Sequence, residues 1–344
     1  MRMIGRRKLF GIAGVVGAMS FMRQARAGRH APDNGIRHVS LWGSDAWDGL
    51  SWETAKRSVF AAVDSLPTEI VAGATIHTGK VVIGRGEFVE TELPIEASTG
   101  LVFEGQGTRA TVIRQGASNH LFAPTPDYMP NWGHELIFRD LRVRGDKISF
   151  PGDFDLIRLQ RGGFNTALYN VYLRDAPRWG LHISAQATNV YLYNCSASNC
   201  EEAAIRFDIA PSTNVSNLGI YGFQVDNSGF APIHIVSEQN GGVTVINITG
   251  VEAEDLLGDT HDAVIRYDRI SGDNATNFSI NGVSAFKSIA MGQRGTAVIH
   301  DVNPSRRGKW MLTNIHGSQY DQAFQREFDG ANSGGPHLYR EDFL

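Results

Sequence analysis

The chain has 344 residues, 42% of them apolar and 20% charged, with 32 Lys and Arg against 36 Asp and Glu. That length suits one elongated domain or two small ones, and the acidic excess argues against general nucleic-acid binding. No apolar run reaches the roughly 18 residues of a helical membrane span. The two cysteines, Cys195 and Cys200, are too few for a disulfide framework and lack zinc spacing.

In chain order, Arg6-Arg7-Lys8-Leu9-Phe10 precedes an apolar stretch from Gly11 to Met22, and Ala25-Arg26-Ala27 offers a small-residue cleavage site. This pattern predicts an export segment over residues 1–27, and its paired arginines resemble a twin-arginine signal. A periplasmic or extracellular location is the consequence. Removing the six basic residues of that segment leaves 26 basic against 36 acidic residues, a net charge of −10. Residues 28–36 read as a linker. Ser51 is a candidate helix N-cap, followed by Trp52, Ala55, Val59, Ala62, Val63 and Leu66 at helical spacing, and Pro67 stops the run. Residues 37–68 are therefore expected to form a helical cap. Such a cap would cover the open edge of the first strands after it.

From residue 69 to 318 two columns recur. Asp140, Asn170, Asn194, Gly222, Gly250, Gly282 and Asn314 each come after a short β-rich run, at intervals of 24 to 32 residues. Asn, Asp and Gly tolerate left-handed backbone, so they suit a tight corner at one place in every coil. The second column is basic. Arg158, His182, Arg206, His234, Arg266 and His300 come after apolar residues at spacings of 24, 24, 28, 32 and 34. In a strand such flanks point inward and the basic residue outward. Recurrence at this period indicates a solenoid. A β-sandwich would instead show turn signals about every 8–12 residues without a stacked corner residue. Each coil reads as strand, Asn/Gly corner, short strand, loop, basic strand, second loop. The expected fold is all-β, a parallel β-helix with three strands per coil. Cys195 falls at an inward position, which predicts a buried free thiol, although a Cys195–Cys200 disulfide is permitted in an oxidising compartment. Residues 319–344 lose the pattern and are expected to form a C-terminal tail.

The runs Asp48-Gly49-Leu50-Ser51-Trp52-Glu53-Thr54, Gly79-Lys80-Val81-Val82-Ile83, Leu101-Val102-Phe103-Glu104-Gly105-Gln106-Gly107 and Ala110-Thr111-Val112-Ile113 resemble the start of the pectate-lyase-like right-handed parallel β-helix superfamily. Gly84-Arg85-Gly86 departs from it, since such proteins usually carry Pro before the Gly. The resemblance spans about residues 37 to 318. It implies a right-handed coil, a carbohydrate-directed activity, and a groove formed by the basic strand and the loop before it. It also implies that calcium and a homotrimer are options. Glu252, Glu254, Asp255, Asp259 and Asp262 are the oxygen ligands a calcium ion would find. Neither the Arg-x-Pro-x-x-Arg signature of pectate lyases nor the Asn-Thr-Asp and Gly-His-Gly motifs of polygalacturonases occur.

Adjacent strands lie ~4.8 Å apart, so two stacked full charges would repel by ~3.5 kcal/mol at an effective dielectric of 20. Alternating Arg with neutral His relieves this. A basic column still gains nothing structural by itself, which points to an anionic partner or to balancing carboxylates. Asp208 and Asp268 share the outward face, and Glu202, Asp226 and Glu254 precede basic positions in their loops. Two chemistries fit. In a lyase acting on a uronate polysaccharide, Arg206 and Arg266 would neutralise the uronate carboxylate, and His234 or His182 would remove the C5 proton. In a glycoside hydrolase, Asp208 and Asp268 would be the carboxyl pair, ~9.6 Å apart at the backbone. A third reading is a track that binds polysaccharide without cleaving it. Arg158 and His300 would extend the column, with Trp179 and Phe230 as stacking platforms for sugar rings.

Overall fold

The computed structural model describes residues 33–71, 74–91, 98–123, 136–160, 163–184, 187–209, 214–237, 242–243, 245–254, 263–269, 277–286, 295–302, 309–318 and 320–327. The expected export segment lies outside them. Residues 35–344 form one unit. Among the described residues, no helix is long and apolar enough to cross a membrane.

The architecture is the expected right-handed parallel β-helix. One coil shows how the sequence builds it. The strand Leu181–Ser184 leads into Ala187–Ser198, which bends at Asn194 into two arms, and the chain returns through a loop to Ile205–Ile209. Each segment pairs in parallel with its counterpart one coil on. Two sheets result. The bent strands, with shorter strands beside them, make up a sheet of fifteen, and the six basic strands stack with one further strand into a separate sheet of seven, here called the ladder sheet.

Strand alternation fills the interior. Phe103, Phe138, Leu168, Leu192, Ile220, Ile248, Ile280 and Leu312 are successive partners in register along the first arms. None is more than 5% exposed. Each such side chain contributes roughly 1.5–3 kcal/mol by leaving water, so stability accumulates coil by coil.

All seven expected corner residues have positive φ, from 50° at Asn170 to 68° at Gly250 and Gly282. Asn170 Nδ2 donates to Asp140 Oδ1 at 2.7 Å, linking neighbouring corners. Two further left-handed columns accompany them. Asn165, Asn189 and Asn217 form one, joined by amide bonds of 2.9 Å; Asp175, Asn199 and Asn227 form the other. Both recur at the same 24 and 28 residue periods as the basic column, so their signal was present in the sequence.

The N-terminal cap is shorter than its spacing predicts. The helix runs Val59–Asp64 with Ser58, not Ser51, as N-cap; Ser58 Oγ accepts from Ala61 N–H at 3.1 Å. Backbone bonds explain the shift. Gly49 N–H binds Thr54 O, and Lys56 N–H binds His38 O, which hold residues 49–56 in turns against the strand Ile36–Val39. Asp45 accepts from the N–H groups of Arg57 and Ser58, and Glu90 from those of Val59 and Phe60. These carboxylates satisfy the amides that begin a helix. The strand Ile36–Val39 itself starts inside the expected linker.

At the far end, Tyr320–Glu327 forms a strand where a tail is expected, and it pairs in parallel with Gly295–Val302. Gln325 stands opposite His300, so the basic column ends there and leaves no sequence signal. Cys195 and Cys200 are free and buried. Burial pushes their thiols up to about 11 and about 12.

Candidate functional site

The six basic residues form one straight row. Arg158, His182, Arg206, His234, Arg266 and His300 are successive register partners across the ladder sheet. Their strands put apolar neighbours in the core, as at Ile205 and Phe207 around Arg206. The histidines are less open than an outward position suggests: His182, His234 and His300 are 3%, 7% and 3% exposed. Trp179, Asp155 and Asp208 cover His182, and Phe230 and Asp268 cover His234.

Asp208 and Asp268 lie two residues beyond Arg206 and Arg266, on the same face. Asp208 accepts from Arg206 Nε at 2.7 Å and from His182 Nε2 at 2.9 Å. Asp268 accepts from Arg266 Nε at 2.8 Å and from His234 Nε2 at 2.8 Å. The same set therefore occurs twice: a His on one coil and an Arg-x-Asp on the next. Burial pushes both carboxyls up, but the hydrogen bonds from His and Arg outweigh it and hold them below the usual range.

An aromatic ring completes each set. Trp179 meets His182 edge-on at 4.3 Å and lies 5.2 Å from the Arg206 guanidinium. Phe230 lies 4.7 Å from His234 and 5.5 Å from the Arg266 guanidinium. Trp179 also stacks under Arg178 at 3.8 Å and donates its indole N–H to Glu202 at 2.7 Å. Glu202 thus reaches an aromatic platform rather than Arg206.

The two histidines differ in their second partner. His182 Nδ1 faces Asp155 Oδ2 at 3.0 Å, so both ring nitrogens meet carboxylates. His234 Nδ1 instead accepts from Arg206 Nη1. That contact requires the neutral ring with its proton on Nε2, toward Asp268. Burial, then the charges of Arg206 and Arg266, hold His234 below its ordinary value despite Asp268.

Asp155 and Arg178 were not singled out by the sequence. Asp155 is fully buried and takes Arg178 Nε and Nη2 at 2.9 and 3.0 Å. Burial raises its carboxyl, and the bonds from His182 and Arg178 bring it below the usual range. Its only sequence signal is an acidic residue set directly against Leu156-Ile157. Arg158, at the row's start, lies 2.7 Å from His120 Nε2.

Two candidate binding residues fall elsewhere. Asp226 and Glu254 are register partners at the ends of the second arms, in line with Ser198, and are not brought to the ladder row. Glu252 lies on the same arms, while Asp255, Asp259 and Asp262 lie outside the described residues. Among the described residues, no group of three or more His, Cys, Asp or Glu side chains has the geometry to hold a metal ion.

No family model and no curated protein sequence matches the chain. Solved structures do align with it. The ORF18 protein of Geobacillus virus E2 aligns at 13% identity and TM-score 0.44, over 96% of this chain and 66% of its own length. The GH136 lacto-N-biosidase of Eubacterium ramulus aligns at 11% and 0.43, over 96% and 70%. The catalytic unit of a GH87 α-1,3-glucanase from Streptomyces thermodiastaticus aligns at 11% and 0.37, over 75% and 51%. The chain therefore spans about half of the glucanase unit and two thirds of the viral protein. With its three-segment coils, stacked Asn and Gly corners and parallel sheets, the chain is in fold a right-handed parallel β-helix.

Proposed function

We propose that the chain is an exported, carbohydrate-active β-helix that binds a linear uronate-containing polysaccharide along the ladder sheet and cleaves it by β-elimination. The observation that carries the reading is the Asp268–His234 dyad, whose remaining nitrogen faces Arg206. Asp268 fixes the tautomer, so Nδ1 is the basic atom. In the free protein Arg206 covers it. A uronate carboxylate competing for the Arg206 guanidinium would draw it off and leave Nδ1 free to take the C5 proton. The electron pair of that C–H bond moves into the carboxylate-bearing carbon as an enolate, which Arg206 and Arg266 stabilise. It then expels the C4 oxygen, which takes a proton and leaves as the new chain end.

The doubled aromatic–His–Arg-x-Asp set supports a polymeric ligand. Its members recur two coils apart, ~9.6 Å along the axis, and a repeating chain laid along a solenoid meets both. The glucanase and the lacto-N-biosidase act on carbohydrate by their names; for this chain the substrate class rests on its own residues. A hydrolase would need one carboxyl kept protonated as general acid. Asp208 and Asp268 are both held low instead, which favours elimination. Export to the periplasm or cell exterior belongs to the same proposal and rests on the pattern in residues 1–27.

The test is product analysis with polygalacturonate, alginate and a neutral glucan. Elimination from an acidic polymer gives an unsaturated uronate that absorbs in the far ultraviolet. New reducing ends without that absorbance would replace the lyase by a hydrolase. Binding with neither product would leave a ligand track.

A further inference from the structure

A second basic row lies on another face of the coil. Arg114, Arg144 and Arg174 are register partners on three consecutive second arms. Here full charges stack with no histidine between them, the arrangement that the ladder sheet avoids. Three carboxylates match these three charges one for one, so Arg142 is a cation in excess. Glu87 lies 2.6 Å from Arg114 and 3.7 Å from Arg144; Asp175 lies 3.1 Å from Arg144 and 3.3 Å from Arg174; Asp146 lies 3.4 Å from Arg114. Arg142 sits one row inward with its guanidinium 4.8 Å from the Tyr172 ring. It makes no ion pair among the described residues, and its Nε is buried without a hydrogen-bond partner. Burial, then the nearby Arg174, Arg144 and Arg109, pull Arg142 below its ordinary value, with Tyr172 opposing them.

Around the corner, on the first arms, Tyr169, Tyr193 and Tyr221 stack at centroid distances of 5.1 and 5.2 Å, and the Arg139 guanidinium lies 5.2 Å from the Tyr169 ring. All three tyrosines are half-buried. Phenol hydroxyls both donate and accept, which suits sugar hydroxyls beside an anionic group.

We propose that this face, centred on Arg142, Arg144 and Arg174, is a second binding surface for the carboxylate or sulfate groups of an acidic polysaccharide, separate from the ladder groove. The guanidinium in excess at Arg142, the arginine row beside it and the adjoining tyrosine row are what such a ligand engages, since Arg pairs with these anions through two parallel bonds. The acidic excess of the whole chain argues against nucleic acid as its partner. The polymer class rests on the function proposed above, but the surface uses none of the residues of that site.

The experiment measures binding of the full chain to polygalacturonate, dextran sulfate, neutral dextran and duplex DNA at low and high salt. The double variant Arg142→Gln, Arg174→Gln should bind the acidic polysaccharides about tenfold more weakly at low salt, the loss of one charge-assisted contact. The deficit should shrink at high salt, and turnover of a short oligosaccharide should be unchanged. Arg174→Lys keeps the charge and should retain part of the affinity. Removing mutually repelling cations should leave the melting temperature equal or higher, so a folding defect is distinguishable. Unchanged polymer binding in the double variant, or no binding by the wild type, overturns the surface. DNA binding as tight as dextran sulfate binding overturns the polysaccharide assignment. If the wild type cleaves nothing yet the double variant loses affinity, the surface stands and the catalytic reading falls; the opposite pattern removes the surface alone.

Discussion

The coils around His182 and those around His234 carry the same residue types in the same register, and they give their histidines different second partners. Each ring donates Nε2–H to the Asp of an Arg-x-Asp on the next coil. The other nitrogen decides the rest. His182 meets Asp155, a loop carboxylate outside the repeat, whereas His234 meets Arg206, a member of it. A repeat thus fixes where a side chain stands, and a single neighbour outside the repeat fixes what its second ring nitrogen meets.

The largest expected effect lies in catalysis. His234→Ala should lower the elimination rate by about 10²-fold or more, the usual contribution of a general base, while His182→Ala should spare most of the rate in the folded fraction. Initial rates of absorbance increase, taken beside circular dichroism, measure both. Equal losses in the two variants would erase the functional distinction between the histidines.

Stability should show the reverse order. Asp155→Asn removes a fully buried carboxylate that faces Arg178 and His182, and breaking such a buried pairing costs about 3–5 kcal/mol. Asp268→Asn should cost less, because that carboxylate is 23% exposed, yet it should lower the rate more. Denaturant melts beside the same rate assay would test this crossing of effects. A larger stability loss at Asp268 would reverse the assignment.

The smallest effect is the pH response. His234 is held below its ordinary 6.5, so the unfolded chain takes up a proton first as pH falls. The stability tied to the neutral ring is present above about 6.5 and is lost as pH drops through the folded value. Asp155, Asp208 and Asp268 lie below their ordinary 3.8 and add a further loss in the same direction at lower pH. Melting temperature against pH should therefore fall in two stages on the acid side, with the first stage reduced in His234→Ala, where His120, also held below its ordinary value by burial, supplies the rest. An undiminished first stage in that variant would assign it to other groups.

The basic row and its period were legible because strand alternation forces residues of one face to recur coil by coil. The second Asn columns carried the same period and were equally readable. Asp155, His120 and Arg178 were not, since they reach the ladder from loops whose lengths vary and whose contacts obey no spacing. Asp226 and Glu254 show the converse. They precede basic residues in sequence, yet the intervening loop turns them onto another face.

The sequence alone determined the coil. Left-handed corners at Asn and Gly, inward apolar columns and an outward Arg/His row all result from local backbone preference and a two-residue side-chain period. Tertiary structure alone decided the chemistry. Hydrogen bonds across coils and from loops assign each proton, because the charge state of a buried imidazole depends on the partner a few ångströms away rather than on its neighbours in the chain.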